Sequence, residues 1–365
     1  MGKQAIQIER IKRVVVRGTN WVGDTVMTIP ALRELRRALP QAHITLATRA
    51  WAAGLFADAD FIDATLECGQ GPKGLRSALR EARAWRAQGF DLALLFQNAF
   101  GAALIAALAG IPWRIGYATD GRSALLTHPL AVPAWRRERH EVFYYLNIVA
   151  ALGQLLDGAA RVETAAPRLE LQVSGGRQIE ARAILLRHGA SLDVPLVIFC
   201  PGATNSRAKR WPAASFAALG DRLIAEAGAE VALIGAREEL DVSMEVSGAM
   251  RHKPVMLTGQ TDLAQTAAVL HLADLLVTND TGPAHIAAAV GCPSLVIFGP
   301  TDPTTTRPFA TSAQIIRRPP DCAPCMLRDC PIDHRCMTAI TPAEVYARAI
   351  TLLEARTATG ARFTQ

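Results

Sequence analysis

No apolar run in this sequence of 365 residues is long and unbroken enough to be a membrane span, which needs about 20 predominantly apolar residues. Two stretches come near it. Residues 92–113 carry no charge, but Gln97-Asn98 interrupt them and Pro112 ends them. Residues 281–301 are broken by Pro283, His285, Gly291 and Pro293. They read as a strand, a polar loop and a helix ending near Gly110, and as a helix followed by a strand. An integral membrane protein is thereby excluded. A secretory leader is also missing, because the opening MGKQAIQIERIKR is polar and charged and has no apolar core before a cleavage site. The expected location is the cytoplasm, with room for peripheral contact with a membrane. No dense tract of basic residues exists. The nearest is Trp135–His140, which also holds Glu138, so nucleic acid is not an expected partner. The P-loop pattern G-x-x-x-x-G-K-[ST] does not occur, which removes one phosphate-binding class. No collagen or coiled-coil period runs through the chain.

What is present is an ordinary globular composition. Half of the residues are hydrophobic and a fifth are charged, too apolar for a disordered chain. The length predicts two domains, or at most three, with cores that need no disulfides. The net charge of +6, from 39 Lys and Arg against 33 Asp and Glu, suits an anionic partner such as a nucleotide, a phosphorylated glycolipid or a membrane surface.

Short apolar runs alternate with helical patterns through both halves. In the first half, strands are predicted at Arg13–Arg17, His43–Ala47, Phe61–Asp63 and Asp91–Phe96, with helices over about 24–38 and 74–88. In the second, strands are predicted at Pro195–Cys200, Glu230–Ile234, Val255–Leu257, Ala273–Thr278 and Pro293–Phe298. The helices between them cover 213–227, 263–272 and the stretch up to about Val290. This alternation argues for parallel sheets covered on both faces. The last helix, Thr341–Arg356, opens with the capping sequence Thr341-Pro342-Ala343-Glu344. Expected boundaries are 1–170 for a first domain, 171–190 for a linker, 191–340 for a second domain and 341–365 for a terminal helix.

In doubly wound sheets, ligands sit beyond the carboxyl ends of the strands, so three loops draw attention. Gly18–Asp24 follows a strand and opens a helix. Asp24 there is either an N-cap, worth about 1 kcal/mol, or a general base whose charge the helix dipole favours. Pro201–Pro212 brings small residues, hydroxyls and three cations to one loop, which suits phosphate, with Lys209 as the point charge. Asn279–His285 starts a helix whose N-terminus favours an anion, and His285 in its first turn is either a core residue or a substrate contact. A fourth feature is the spacing Cys322-x2-Cys325-x4-Cys330-x5-Cys336, with His334 inside it. Four thiolates can close a tetrahedral site around zinc, or iron as second choice. Cys68, Cys200 and Cys292 are isolated and expected to be buried, inert thiols.

Taken together, the segments G-T-N-W-V-G-D-T-V-M (18–27), P-G-A-T-x5-R-W-P (201–212), N-D-T-G-P-A-H (279–285) and F-G-P-T-D-P (298–303) resemble the ADP-heptose:lipopolysaccharide heptosyltransferases, glycosyltransferase family 9. The W-V-G-D loop and the C-x-P-C…C-P…H-x-C-M tail look most like the members that add the second heptose. The resemblance implies a GT-B fold: two Rossmann-like, doubly wound domains facing across a cleft, acceptor on the N-terminal side and nucleotide sugar on the other. It implies inverting transfer of L-glycero-D-manno-heptose from ADP-heptose to the lipopolysaccharide inner core, with no cofactor required, so a metal at the cysteines would be structural. By the same resemblance Asp24 is the base and Lys209 the phosphate-binding cation. Thr204, Asn205, Glu239, Asp280, Thr281, Gly282 and His285 would contact the donor, with Glu239, before its neighbour Glu238, the candidate for the ribose. Trp21, Arg114 and Arg122 are the corresponding candidates for the acceptor, together with the arginines of 136–139. The alternatives are a heptosyltransferase acting on an autotransporter protein, a GT-B epimerase, and a non-catalytic ADP-sugar-binding module.

Overall fold

A computed structural model describes residues 7–69, 74–156, 164–204 and 206–358. The chain divides into two compact units, Met1–Leu171 and Gln172–Gln365. In the first unit the strands are β1 (Arg13–Arg17), β2 (His43–Thr48), β3 (Ala64–Glu67), β4 (Leu92–Leu95), β5 (Trp113–Tyr117) and β6 (His128–Leu130). They form one sheet in the order β3-β2-β1-β4-β5-β6, parallel throughout. In the second unit they are β7 (Leu196–Cys200), β8 (Glu230–Leu233), β9 (Val255–Met256), β10 (Leu275–Asn279), β11 (Ser294–Phe298) and β12 (Ala313–Arg317). Their order is β12-β11-β10-β7-β8-β9, again parallel throughout. Counted from its own first strand, the second sheet has the same order as the first. Both are doubly wound α/β sheets of Rossmann type.

The central strands have no solvent face. Val14, Val15 and Val16 of β1 are fully buried, as is every residue of β7, β10 and β11. That is why these strands read as continuous apolar runs and not as alternation. In each sheet the order reverses between the first and fourth strands, β1 with β4 and β7 with β10. The crevice at the carboxyl ends of such a pair is where this architecture places its ligands.

Several details differ from expectation. The helix predicted over 24–38 is two helices, Val22–Met27 and Ile29–Ala38. Pro30 sits in the first turn of the second, where its missing N–H costs nothing, and the Thr28 hydroxyl donates to the Thr25 carbonyl at 2.6 Å. The strand predicted at Phe61–Asp63 begins three residues later, at Ala64. Asp63 is instead a junction, its carboxylate taking the Ile44 N–H at 2.6 Å and pairing with Arg36. Strands β5, β6 and β12 and the helices Glu141–Leu155 and Leu240–Ala249 lie outside the expected elements. Residues 171–190, expected as linker, contain the helix Gly175–Arg187, which packs on the helix Leu263–Leu272. The last helix spans Pro342–Ala358, and Thr341 Oγ1 accepts from the Glu344 N–H at 3.2 Å. Among the described residues, no helix is long and apolar enough to cross a membrane.

Candidate functional site

In the second unit, β7 delivers the loop 201–212 and β10 delivers Asp280 and Thr281 at the switch point. Asn279, the last residue of β10, binds the two together. Its side chain is fully buried. Nδ2 donates to the Pro201 and Gly202 carbonyls at 2.8 and 3.3 Å, and Oδ1 accepts the Trp211 N–H at 2.9 Å. Trp211, also buried, donates its indole N–H to the Ile340 carbonyl at 2.9 Å. Both ends of the loop are therefore anchored, and its middle carries the polar groups.

Lys209 reaches Asp280: Nζ lies 2.8 Å from Oδ2 and 3.2 Å from the Asp280 carbonyl. Thr301, in the loop after β11, donates its hydroxyl to the same Oδ2 at 2.7 Å. A buried carboxylate is costly unless paired and hydrogen-bonded, and Asp280 has both kinds of partner. Next to it the helix Gly282–Ala289 begins with Pro283 in its first turn. The half-buried Thr281 and Gly282 form its N-terminal end, where unpaired backbone N–H groups favour an anion. His285 is buried within that first turn.

Across the same loop lies Glu239, also buried. Its Oε1 accepts the Thr204 hydroxyl at 3.0 Å, and its Oε2 accepts the Ala236 N–H at 3.0 Å. Gly202 makes room for this carboxylate, since a Cβ at that position would lie 2.3 Å from the Glu239 carboxyl carbon. Lys209, Thr204, Glu239, Asp280, Thr281, Gly282 and His285 thus all belong to the loops around one crevice. Asn205 lies outside the described residues. Two residues were not singled out from the sequence: Asn279 and Thr301. Both sit inside the quoted segments 279–285 and 298–303, but side-chain links that span 21 residues for Thr301 and 68 to 78 for Asn279 leave no trace in local spacing.

In the first unit, the loop after β1 opens the helix Val22–Met27. Trp21 stands at the N-cap with 56% of its surface exposed, and Asp24 is in the first turn, half-buried. Asp24 is the third residue of this helix, and the N-cap position itself is held by Trp21. An open cavity of about 560 Å³ adjoins the loop, lined by Asn20, Trp21, Arg49, Trp51, Cys68 and Gly69 among others. Asp24 also acts electrostatically on Glu141, at the start of the helix Glu141–Leu155. Burial pushes the Glu141 carboxyl up to about 7. Arg136, which clasps it at 2.5 and 2.8 Å, works the other way, and the Asp24 charge adds to the rise.

Arg122 is not a surface cation, and Arg114 is half-buried. Arg122 is fully buried: Nε donates to the Tyr117 carbonyl at 2.8 Å, Nη2 to Asn98 Oδ1 at 2.9 Å and Nη1 to the Gln97 carbonyl. Arg114 donates to the carbonyls of Leu125 and Ile111. Both tie down the backbone between β4 and β6, and the buried Arg122 has no surface left to offer an acceptor. A G-x-G-x-x-G spacing does occur, at Gly69–Gly74. It follows β3 and not the first strand, where the dinucleotide fingerprint belongs, and residues 70–73 lie outside the described residues.

The four clustered cysteines, Cys322, Cys325, Cys330 and Cys336, line one narrow cavity of about 20 Å³ together with Ala208, Pro300 and His334. Among the described residues, no group of three or more His, Cys, Asp or Glu side chains is drawn together as a metal-holding set. Burial raises the Cys336 thiol, and the other three cysteines add to the rise. Cys68, Cys200 and Cys292 are free and buried, as expected, and desolvation pushes the last two up to about 12.

Two doubly wound, Rossmann-type sheets of one strand order are the architecture of the GT-B glycosyltransferases. Known proteins agree. The chain matches the description "Glycosyltransferase family 9 (heptosyltransferase)" over residues 78–335. It is 32% identical to lipopolysaccharide heptosyltransferase 2 of Escherichia coli K12 over 324 residues, 84% of this chain and 88% of that protein. It is 31% identical to the Salmonella typhimurium protein of the same name, with the same coverage. Among solved structures, E. coli ADP-heptose LPS heptosyltransferase II superposes with a TM-score of 0.81 at 26% identity, covering 94% of this chain and 99% of that one. The chain belongs to glycosyltransferase family 9.

Proposed function

We propose that this protein moves heptose from ADP-heptose to the inner core of lipopolysaccharide, as the second heptose added. The observation that carries the reading is the crevice between β7 and β10, where Lys209, Asp280, Thr301 and the start of the helix Gly282–Ala289 converge. The named activity of the relatives at 31 and 32% identity agrees with it.

The chemistry is a single displacement. Asp24 takes the proton of the acceptor hydroxyl, the oxygen attacks the anomeric carbon, and the bond to the diphosphate breaks with inversion. General-base assistance of this kind is worth about 10²- to 10⁴-fold. The leaving ADP gains negative charge, which Lys209 and the backbone N–H groups at Thr281–Gly282 meet from fixed positions. Asp280 holds Lys209 pointed into the crevice. Glu239 offers carboxylate oxygens to the ribose hydroxyls, with Thr204 and Asn205 beside it, and His285 contacts the sugar diphosphate. Trp21 gives the acceptor an aromatic face. No cofactor takes part in the transfer. The acceptor is lipid-linked, so the protein works in the cytoplasm, as a peripheral visitor to the inner membrane. Cys322, Cys325, Cys330 and Cys336 would hold a structural zinc or iron, since four soft thiols around one cavity are a chemically suitable donor set.

Calorimetric titration with ADP-heptose, UDP-glucose and UDP-N-acetylglucosamine, without added divalent metal, tests the donor. Clear preference for ADP-heptose is expected, and preference for a uridine nucleotide would overturn the reading. Elemental analysis of the purified protein should find about one zinc or iron per chain, and markedly less would remove the structural metal.

A further inference from the structure

The cysteine-rich segment has contacts that a free-standing metal knuckle would not need. It is bonded to both loops that supply partners to Asp280. On one side, His334 Nε2 lies 2.6 Å from the Ala208 carbonyl. A carbonyl only accepts, so Nε2 carries the proton and is committed to this bond. The Ala208 N–H donates to the Arg328 carbonyl at 2.9 Å, and Ser206 Oγ donates to the Leu327 and Arg328 carbonyls at 3.3 Å. Arg207 pairs with Asp329 at 2.7 Å. Ala208 immediately precedes Lys209. On the other side, the Met326 N–H donates to the Pro300 carbonyl at 2.9 Å, and Pro300 immediately precedes Thr301. Behind it, a Cβ on Gly299 would lie 2.3 Å from Met337 Sδ and 3.1 Å from Cys336 Sγ, so the segment closes directly on this loop.

We infer that the segment 322–336 is a brace for the donor crevice, and that His334 is a positioning residue that sets the reach of Lys209 through the Ala208 carbonyl. The argument is mechanical. Lys209 and Thr301 converge on one oxygen, Asp280 Oδ2, from two loops that share no strand. A long ammonium side chain is useful to a diphosphate only if its backbone is fixed, because each loosened rotor costs binding free energy. The four-residue stretch Ser206–Lys209 includes only a single 3-10 turn, Arg207–Lys209. Its rigidity comes instead from the bonds to residues 327–334. The cavity that holds the four thiols has Ala208 and Pro300 in its wall, so the state of the thiols bears on both loops at once. His334 then has a task other than metal ligation, which accounts for a histidine inside a set that already has four thiols.

The inference rests on Lys209 holding the donor diphosphate, and the experiment separates the two claims. ADP affinity is measured by calorimetry for the parent protein and for Lys209→Ala, His334→Ala, His334→Gln and Ser206→Ala, with donor and acceptor KM and thermal unfolding alongside. Loss of ADP affinity in Lys209→Ala secures the underlying reading, and its absence overturns that reading and this inference with it. With that control in hand, His334→Ala should weaken ADP about three- to tenfold, the effect of a hydrogen bond of ordinary strength, and raise donor KM by the same factor at unchanged acceptor KM. His334→Gln, which keeps an N–H donor at similar reach, should recover most of the loss. Ser206→Ala, which leaves the core untouched, should show a smaller loss of the same kind. ADP affinity within twofold of the parent in folded His334→Ala and Ser206→Ala, or an equal rise in both KM values, would overturn the brace.

Discussion

The ligand ends of the two sheets are built differently, although the sheets share one strand order. In the second unit the loops are bound to one another by buried polar side chains: Asn279 to Pro201 and Trp211, Asp280 to Lys209 and Thr301, Glu239 to Thr204. In the first unit the corresponding loop stands beside an open cavity, with Trp21 exposed and Asp24 half-buried. A satisfied network of buried polar groups is rigid and specific. It suits a ligand of fixed chemistry, such as a nucleoside diphosphate. An open aromatic surface suits a large and variable glycolipid. The contrast teaches that one strand order can carry two differently built ligand ends, because the loops and not the sheet decide.

The sharpest way to break this comparison is Asp24→Ala. Turnover should fall by about 10²- to 10⁴-fold while ADP affinity stays near the parent value, read by single-turnover assay and calorimetry. Retention of most turnover would take the base away from the first unit. Next in size is a pH effect confined to that unit. Glu141 titrates near 7 in the folded chain but has an ordinary carboxyl value of 4.5 when unfolded. A raised carboxyl value means that the folded state binds the proton more tightly. The stabilisation from the neutral form is complete below about 4.5 and is lost as pH rises through about 7, up to about 3 kcal/mol over that window. Glu141→Gln should flatten the decline, so its Tm relative to the parent should be higher at pH 8 than at pH 5. A constant difference across that range would show that Glu141 does not titrate there.

Gly202→Ala addresses the wired side. Its new Cβ must displace the Glu239 carboxylate, so ADP should bind about tenfold more weakly, the scale of a lost hydrogen bond plus strain. Unchanged affinity would mean that Glu239 has no part in holding the nucleoside. The smallest expected effect on the fold is that of Trp21→Ala. As an exposed residue it should change stability by no more than about 0.5 kcal/mol, yet raise the acceptor KM at unchanged donor KM. Equal KM values in parent and variant would remove Trp21 from the acceptor surface.

Much of this arrangement is legible in the chain. The central strands announce themselves as apolar runs because they are buried on both faces, and the loops that follow them stand out by their small and charged residues. Strands away from the centre of each sheet are less visible. β3, β5 and β12 are only partly buried, so Trp113–Tyr117 and Ala313–Arg317 carry mixed patterns. Arginines mislead most. Arg114 and Arg122 read as exposed cations, whereas both spend their donors on backbone carbonyls of their own unit. A guanidinium with five N–H groups serves either purpose, and the sequence does not distinguish them. The ties from His334 to Ala208 and from Thr301 to Asp280 are tertiary facts, without a local signature.

The pairing of β7 with β10 has a consequence for how the molecule comes into being. Asn279 closes the crevice by reaching Pro201 over a separation of 78 residues. Parallel neighbours this far apart in the chain form late, since the loop entropy must be overcome before their contacts can reward it. As the chain emerges from the ribosome, the first unit can complete its sheet while the second still lacks β10. The crevice proposed for the nucleotide is therefore completed only near the end of synthesis, and retention on immobilised ADP would serve as a clock for that folding step.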